Sequence, residues 1–279
     1  MIVPSGCALR CFHFLIVVQR ISRSNPAIPP CRWHISCTFD PLHGGFRLRA
    51  SRRREDTGNE ASSLVKDQQC ACTLIQRLQG PHKRVLQRLR DLLTRDAGLA
   101  AALAAIGEPT TEDATLVRWL TACKWDVDHA HALLQQHAQW RADFGFVLEE
   151  TITDELAAHK VYLQPGTDAA GHAVLVVLAR NHNGATRDLS QTTRLIVYAL
   201  DAAVAACNPA AGNPLKQIVC LFDLSGLSLN NLDVGGLRAV FETLQQHYPE
   251  RLAALYFLNA PLLFWGLWKL VCPLVRCRT

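Results

Sequence analysis

Residues 218–222 read IVCLF, an uninterrupted apolar run of five residues. Two further runs of this kind are AVLVVLA at residues 173–179 and LYFL at residues 255–258. Short continuous apolar runs are typical of strands that are buried on both faces of a sheet. The intervals between them, residues 191–206 and 234–247, have helical spacing. Strands that alternate with helices predict a mostly parallel sheet with helical crossovers.

Helical periodicity precedes the strands, because apolar side chains recur there at steps of three and four residues. After a first helix, a second is predicted to begin at Thr111 as its N-cap, and a third to run from Asp126 as its N-cap to Gly145. We therefore expect an α/β protein. A three-helix lobe (82–146) is followed by a mostly parallel sheet with flanking helices (150–279).

The basic excess of the chain is concentrated at its start. The net charge is +5, and residues 1–54 contain nine arginines and a single acid, Asp40. Residues 1–75 lack periodicity and are interrupted by prolines and by a Gly-Gly pair, which predicts a disordered basic extension. An arginine-rich, acid-poor start is also typical of a transit peptide, so a plastid or mitochondrial address is the alternative. Charges nearly balance beyond this extension, so no nucleic acid partner is expected.

Composition and cysteine spacing exclude several classes of protein. Hydrophobic residues make up 49% of the chain, which is enough for a sizeable core. The 11 cysteines include no pair of CxxC motifs at finger spacing, so no structural zinc site is expected and a reducing compartment is favoured. The apolar run at residues 14–18 is too short to cross a bilayer, and residues 260–275 are interrupted by Lys269 and Pro273.

Four stretches, in this order, resemble the CRAL-TRIO family, in particular its phosphatidylinositol-transfer type. They are TLVRWLTACKWDV at residues 115–127, LQPGTDAAGHAVLVVL at 163–178, VCLFDLSG at 219–226 and YPERLAALYFLNAP at 248–261. Their order and spacing together make the match strong. The resemblance implies a helical lobe and an α/β lobe, whose sheet forms the floor of an apolar pocket. One lipid is held in that pocket behind a mobile gate helix.

The resemblance puts the gate at residues 262–275, a segment with two tryptophans and one lysine. Such a helix suits a membrane interface, where tryptophan rings lie at the level of the lipid headgroups. From composition alone, an ordinary core helix explains the segment equally well. The pocket and gate residues that the resemblance implies are Ile218, Cys220, Phe222, Phe257, Phe264, Trp265 and Trp268.

Two residues are implied as contacts of the lipid headgroup. Lys124 is a point-charge partner for a phosphate, and Glu250 can accept hydrogen bonds from hydroxyl groups. For Lys124 the structural alternative is a solvated charge. For Glu250 the alternative is a salt bridge at a helix end with Arg251 or another surface base.

The sequence departs from the family pattern at three places. Cys123 stands where the headgroup site of the family has an arginine. Ile218 and Cys220 stand where members that bind phosphatidylcholine have hydroxyl residues, so choline specificity is not expected. The chain stops at Thr279, before the final strand of the family, which implies an incomplete domain with an unpaired sheet edge.

The expected function is to bind one lipid, phosphatidylinositol or a related phospholipid, and to transfer or present it at membranes. The expected partners are a phospholipid and a membrane surface, without a metal or cofactor. The chain is expected to be a monomer, located in the cytoplasm and peripherally on membranes. Two alternatives stay open: an interaction module that transfers no lipid, and a carrier of another hydrophobic ligand such as an isoprenoid or retinoid.

No enzymatic activity is expected. Residues 272–278 have the Cys-x5-Arg spacing of cysteine phosphatases, but the chain ends before a phosphate-binding helix could follow. Three histidines of one predicted helix, His129, His131 and His137, lie on different faces and cannot share a metal. His172 and His182 flank a predicted strand and are expected to face solvent.

Overall fold

The computed structural model describes residues 16–19, 32–40, 45–53, 78, 80–261 and 264. The first three of these segments are strands, β1 (Ile16–Gln19), β2 (Arg32–Asp40) and β3 (Gly45–Arg53). The helical lobe that follows is built from α1 (Gly80–Arg95), α2 (Ala97–Ala105), α3 (Asp113–Ala122) and α4 (Val127–Phe144). Sequence periodicity predicts α1, α3 and α4. It does not reveal α2, whose nine residues are almost all alanine and leucine and have no polar face.

The ends of α4 follow the predicted caps. The Asp126 side chain accepts a hydrogen bond of 3.0 Å from the backbone N–H of His129, which confirms Asp126 as the N-cap. Gly145 ends the helix with a φ of +73°, a conformation that favours glycine. The prediction for α3 is wrong, because its N-cap is Glu112 and not Thr111. The Glu112 side chain makes no capping bond.

The α/β lobe contains α5 (Thr153–Ala157), β4 (Val161–Thr167), β5 (Ala173–Leu178), α6 (Leu189–Ala206), β6 (Ile218–Asp223), α7 (Val234–His247) and β7 (Leu252–Leu258). β5, β6 and β7 are parallel, and β4 is antiparallel to β5. The three apolar runs of the sequence form β5, β6 and β7, with α6 and α7 as the crossovers. The predicted α/β architecture with a mostly parallel sheet is confirmed.

The outer edge of β7 is paired with β1. β1 runs parallel to β7 and antiparallel to β2, and the strand order of the sheet is β3-β2-β1-β7-β6-β5-β4. The sequence predicts an irregular extension and an unpaired sheet edge, whereas the structure has three strands in residues 16–53, and β1 covers the edge of β7. The signal was present in the sequence, because Trp33, Ile35, Cys37 and Phe39 of β2 alternate with polar residues, which is the period-2 pattern of a strand. The prolines, the Gly-Gly pair and the arginines around it led to the prediction of an irregular segment.

Each lobe has its own apolar core. The core of the helical lobe contains fully buried side chains from all four of its helices: Leu89, Leu103, Leu116, Trp119 and Leu134. The core of the other lobe lies between one face of the sheet and α6. Burial of each large apolar side chain contributes about 1.5–3 kcal/mol, so these contacts dominate the stability of both lobes.

The turn between β4 and β5 has the geometry that its Gly-x-Asp-x-x-Gly sequence predicts. Gly171 has a φ of +83°, and a Cβ atom at this position would lie 2.2 Å from the carbonyl oxygen of Asn208. Asp168 Oδ1 accepts the N–H of His172 at 2.9 Å, and Asp168 Oδ2 lies 2.9 Å from His172 Nδ1. The expectation that His172 faces solvent is wrong, because this carboxylate satisfies its ring in a buried position.

Candidate functional site

The carboxyl-terminal lobe presents a continuous apolar face on three parallel strands. The register places Leu175 beside Cys220 and Cys220 beside Leu255, and it continues with Phe222 beside Phe257. Because side chains alternate along a strand, all of these residues point to the same side of the sheet. The cluster formed there, which we call the sheet-face cluster, contains Ala173, Leu175, Ile218, Cys220, Leu255 and Phe257 from the strands, together with Ala199, Leu200 and Ala203 of α6.

Five of the predicted pocket residues come together in or against this sheet-face cluster: Ile218, Cys220, Phe222, Phe257 and Phe264. The ring centroids of Phe222 and Phe257 are 5.6 Å apart, and those of Phe257 and Phe264 are 4.9 Å apart. Burial raises the pKa of the Cys220 thiol to about 12, so this side chain is a neutral apolar group at ordinary pH. The other two predicted residues, Trp265 and Trp268, lie outside the described residues.

Two cavities formed by described residues lie elsewhere. A groove of about 490 Å³ is lined by Val85 and Trp125 of the helical lobe, and a cleft of about 10 Å³ is lined by Thr115, Arg118 and Arg251. Neither opens onto the sheet-face cluster. Most of the predicted gate, residues 262–275, lies outside the described residues. The part of the predicted pocket that would face the sheet is therefore not described.

The two predicted headgroup residues are not brought together. Lys124 is exposed in the turn between α3 and α4, with a φ of +53°. Glu250 is half-buried just before β7, with a φ of +56°. Within residues 80–261 no hydrogen bond or ion pair joins them.

The charged neighbour of Glu250 is Arg118. Burial raises the pKa of the Glu250 carboxyl to about 7, and the nearby Arg118 guanidinium opposes that rise. The alternative of a salt bridge between Glu250 and Arg251 is wrong, because Arg251 Nη2 donates to Glu108 Oε1 at 2.9 Å. Glu250 is therefore a carboxyl group that exchanges its proton near neutral pH and has no ion pair within residues 80–261.

A buried charge network lies beside Glu250 and joins the two lobes. Glu108 accepts hydrogen bonds from Arg118 and Arg251, and also from Trp119 Nε1 at 3.3 Å. Arg118 Nη1 donates to the carbonyl oxygen of Pro249 at 2.8 Å, which ties α3 directly to the start of β7. Glu108, Arg118 and Arg251 are all buried.

The pKa values of this network follow from its geometry. Burial by itself would raise the pKa of Glu108, but the charges of Arg118 and Arg251 outweigh it and hold that pKa below its usual range. Burial lowers the pKa of Arg118 to about 10, a change that Glu108 partly offsets. The three ions therefore remain charged at neutral pH, and the Glu108 carboxylate balances one of the two guanidinium charges. The burial of Glu108 was not predicted, because nothing in the residues around it in the sequence indicates that this side chain is buried.

A second network connects α4 with α6 and with the residue after α7. Arg141 Nη1 and Nη2 donate to the two carboxylate oxygens of Asp201, each at 2.9 Å. Tyr248 donates its hydroxyl to Asp201 Oδ1 at 2.7 Å. Burial raises the pKa of the Tyr248 hydroxyl, and the Asp201 carboxylate raises it further. This network therefore connects the helical lobe to the α/β lobe.

The described residues offer no centre for catalysis by a metal. No group of three or more histidine, cysteine or acidic side chains within them could hold an ion. His137 lies 3.4 Å from His247, ring nitrogen to ring nitrogen, and burial lowers the pKa of each, to about 3 and about 4. Residues 272–278, with the phosphatase-like spacing, lie outside the described residues. No helix in the described part of the chain is long and apolar enough to cross a membrane.

The carboxyl-terminal part of the chain is similar to known proteins. Residues 157–279 match the model of the CRAL/TRIO domain. The chain is 25% identical over 172 residues to the phosphatidylinositol transfer protein CSR1 of Eremothecium gossypii, a match that covers 57% of this chain and 38% of that protein. It is 25% identical over 201 residues to the alpha-tocopherol transfer protein-like protein of Homo sapiens, covering 69% of this chain and 55% of that protein.

The fold is shared with a solved structure. The crystal structure of Sfh5 superimposes with a TM-score of 0.57 and 16% sequence identity, and the match covers 71% of this chain and 78% of that one. The match to CSR1 spans little more than a third of that relative, and the match to the human relative spans about half.

Proposed function

We propose that this chain, whose residues 157–279 match the CRAL/TRIO domain model, binds one lipid against the apolar face of β5, β6 and β7 and transfers or presents it at membranes. The observation that carries the proposal is the sheet-face cluster, in which Leu175, Cys220, Leu255 and Phe257 form a continuous buried apolar layer on one side of the sheet. A lipid leaving a bilayer needs an equally apolar environment, since each methylene exposed to water costs about 0.8 kcal/mol.

Phosphatidylinositol or a related phospholipid is the ligand that the polar residues favour. Glu250 is a half-buried carboxyl with a pKa of about 7, beside Arg118 and with no ion pair within residues 80–261. Such a group can accept hydrogen bonds from the hydroxyls of an inositol ring. Lys124 is solvent-exposed and can meet a phosphate at the surface of the protein. One of the relatives is named as a phosphatidylinositol transfer protein, which supports the same ligand.

The proposed headgroup role of Glu250 is tested by Glu250→Ala. We expect transfer of phosphatidylinositol between vesicles to fall without a loss of stability at neutral pH, because no ion pair is lost and the raised pKa of the Glu250 carboxyl already disfavours the folded state there. Glu150→Ala, at an exposed position, is the matched control and should change neither property. A parallel loss of stability and transfer would assign Glu250 to the structure of the protein and remove it from the headgroup site.

The proposed gate is tested at Trp265 and Trp268. Replacing either tryptophan by aspartate should weaken co-sedimentation with liposomes, because a charged side chain does not enter the membrane interface. Unchanged co-sedimentation of both variants would remove residues 262–275 from the proposed gate.

Another hydrophobic ligand is the second candidate. The sheet-face cluster contains no charged side chain, Cys123 replaces the arginine of the headgroup motif, and one relative is named as tocopherol transfer protein-like. Mass spectrometry of lipid extracted from the purified chain separates the candidates. A phosphoinositide supports the first, and an isoprenoid, retinoid or tocopherol supports the second. A chain that carries no lipid and ignores vesicles would leave only an interaction module.

A further inference from the structure

Two histidines face each other where the helical lobe meets the α/β lobe. His137 lies on α4, and His247 is the last residue of α7. Their Nδ1 atoms are 3.4 Å apart, although 110 positions separate them in the sequence. His137 is only 3% exposed, and His247 is half-buried. We call these two residues the histidine pair.

Two tryptophans of the helical lobe pack against the histidine pair. The rings of Trp140 and His247 are stacked, with centroids 3.7 Å apart and an angle of 9° between their planes. Trp119 of α3 contacts His137, with ring centroids 5.1 Å apart. The contact between α4 and α7 is therefore built largely from rings, and the two imidazoles are its only ionisable members.

The facing nitrogens limit how many protons the histidine pair can hold. A hydrogen bond between the rings requires one Nδ1 to carry a proton and the other Nδ1 to present a lone pair. A first added proton can go to the other nitrogen of the donating ring. A second can go only to the accepting Nδ1, which places two N–H groups opposite each other. Full protonation therefore replaces a hydrogen bond by repulsion between two cations.

Two other histidines have the opposite arrangement, because each faces a carboxylate. His172 Nδ1 lies 2.9 Å from Asp168 Oδ2, and His182 Nε2 lies 3.0 Å from Asp233 Oδ2. The expectation that His182 faces solvent is therefore wrong. A carboxylate stabilises a protonated imidazole. In the histidine pair the hydrogen-bonding partner of each ring is instead another imidazole.

Burial and nearby cations oppose protonation of the histidine pair. Burial is the largest effect at His247, and together with Arg141 it lowers the pKa of this ring to about 4. Burial is also the largest effect at His137, whose pKa falls to about 3. Glu108 favours a proton on His137, whereas Arg141 and Arg118 oppose it, as does a charge on the other ring.

Acids on the elements around the histidine pair already have cationic partners. Glu108, before α3, is shared by two arginines. Asp201 of α6 accepts both hydrogen bonds of the Arg141 fork, and Glu242 of α7 pairs with Arg238. Protons added to the two rings would therefore meet a surrounding charge that is not negative.

We propose that the histidine pair is an acid-sensitive contact between the lobes, which holds α4 against α7 while both rings are neutral and separates when both are protonated. In the separated or unfolded chain each histidine regains its ordinary pKa of about 6.5, so that state binds more protons below this pH. The contact is therefore at full strength above about pH 6.5 and weakens as the pH falls towards the folded-state values. At pH 5 each histidine shifts the equilibrium towards separation by about thirtyfold. This property goes beyond lipid binding and does not depend on it.

The test compares urea unfolding of the full chain near pH 7.5 and near pH 5. In the double variant His137→Asn with His247→Asn, the two amides can keep a donor–acceptor contact but take up no proton. Over this interval the unfolding equilibrium constant of the wild type should rise several hundredfold more than that of the double variant, at about thirtyfold for each histidine. His131→Asn, at a half-buried position of the same helix, is the control and should keep the pH dependence of the wild type.

Hydrogen exchange followed by mass spectrometry locates the change. After correction for the direct effect of pH on exchange, peptides from the ends of α4 and α7 should exchange faster near pH 5 in the wild type but not in the double variant. If the double variant does not fold, His247→Asn alone should remove about one thirtyfold share of the pH dependence, because it changes the less buried ring. Equal pH dependence of the wild type and these variants would refute the role of the histidines. Exchange that rises equally throughout the chain would refute separation at this contact.

Discussion

The substitution Glu108→Gln tests the buried network that joins the lobes. Glu108 is the acceptor for two arginines that are almost completely buried, Arg118 and Arg251. Glutamine keeps the shape of the side chain but removes its charge and presents an NH2 group to one of the guanidinium groups. Removing one partner from a buried ion pair costs about 3–5 kcal/mol, because the remaining charge has no compensation. We expect the free energy of unfolding to fall by about 4 kcal/mol.

The assay is urea unfolding followed by tryptophan fluorescence, to which Trp119 in the network contributes. With a slope of about 2 kcal/mol per molar urea, the midpoint should fall by roughly 2 M. Glu112→Gln, at an exposed position that lines the neighbouring cleft, is the control and should change the stability by less than about 0.5 kcal/mol. A loss below 1 kcal/mol for Glu108→Gln would refute the reasoning.

The pH dependence of the same variant provides a second check. The folded-state pKa of Glu108 is held below its usual value of 4.5 by the two arginines, despite the opposing effect of burial. Its contribution to stability is therefore complete above about pH 4.5, and it is lost as the pH falls through the lower folded-state value. The stability difference between wild type and Glu108→Gln should shrink in acid. A difference that grows in acid would contradict the assignment.

Three further substitutions test other parts of the structure. Folding raises the pKa of the Glu250 carboxyl from 4.5 to about 7, so the folded state holds this proton more tightly than the unfolded state. As the pH rises from 4.5 to 7, the stability of the wild type relative to Glu250→Gln should therefore fall by up to about 3 kcal/mol. A stability difference in urea unfolding that stays constant with pH would disprove the shift. Gly171→Ala should lower the stability by at least about 2 kcal/mol, because the new Cβ atom would clash with the Asn208 carbonyl oxygen and the residue has a positive φ. Gly80→Ala is the control and should change the stability little, because there is open space around Gly80. Equal melting temperatures of these two variants would contradict the prediction. Asp126→Ala should cost about 1 kcal/mol in thermal unfolding through loss of the α4 N-cap, and no measurable loss would argue against the cap.

Sequence patterns predicted the features of the fold that depend on local chemistry. A strand buried on both faces must be apolar throughout, so β5, β6 and β7 appear as continuous runs. The cap of α4 could be predicted because Asp126 acts on a backbone N–H three residues away. The N-cap of α3 was predicted wrongly. The Thr111 side chain is suited to capping, but Thr111 lies one residue before Glu112, which occupies the N-cap position in the structure.

Features that depend on distant partners were not predictable from local patterns. Glu108 is buried only because Arg118 and Arg251 reach it from 10 and 143 residues away. The same long-range contact withdraws Arg251 from its sequence neighbour Glu250, which leaves that carboxyl without an ion pair within residues 80–261. His172 was expected in solvent because a polar residue beside a strand gives no sign that the half-buried carboxylate of Asp168 satisfies its ring.

The most direct test of the lipid-binding proposal is to map where a bound lipid touches the chain. A phosphatidylinositol with a photoactivatable group in its acyl chain is loaded from vesicles, irradiated, and located by peptide mass spectrometry. The proposal predicts cross-links in β6 (Ile218–Asp223) and β7 (Leu252–Leu258), because their side chains form the apolar floor. Cross-links confined to the groove at Val85 and Trp125, or none after loading, would contradict it.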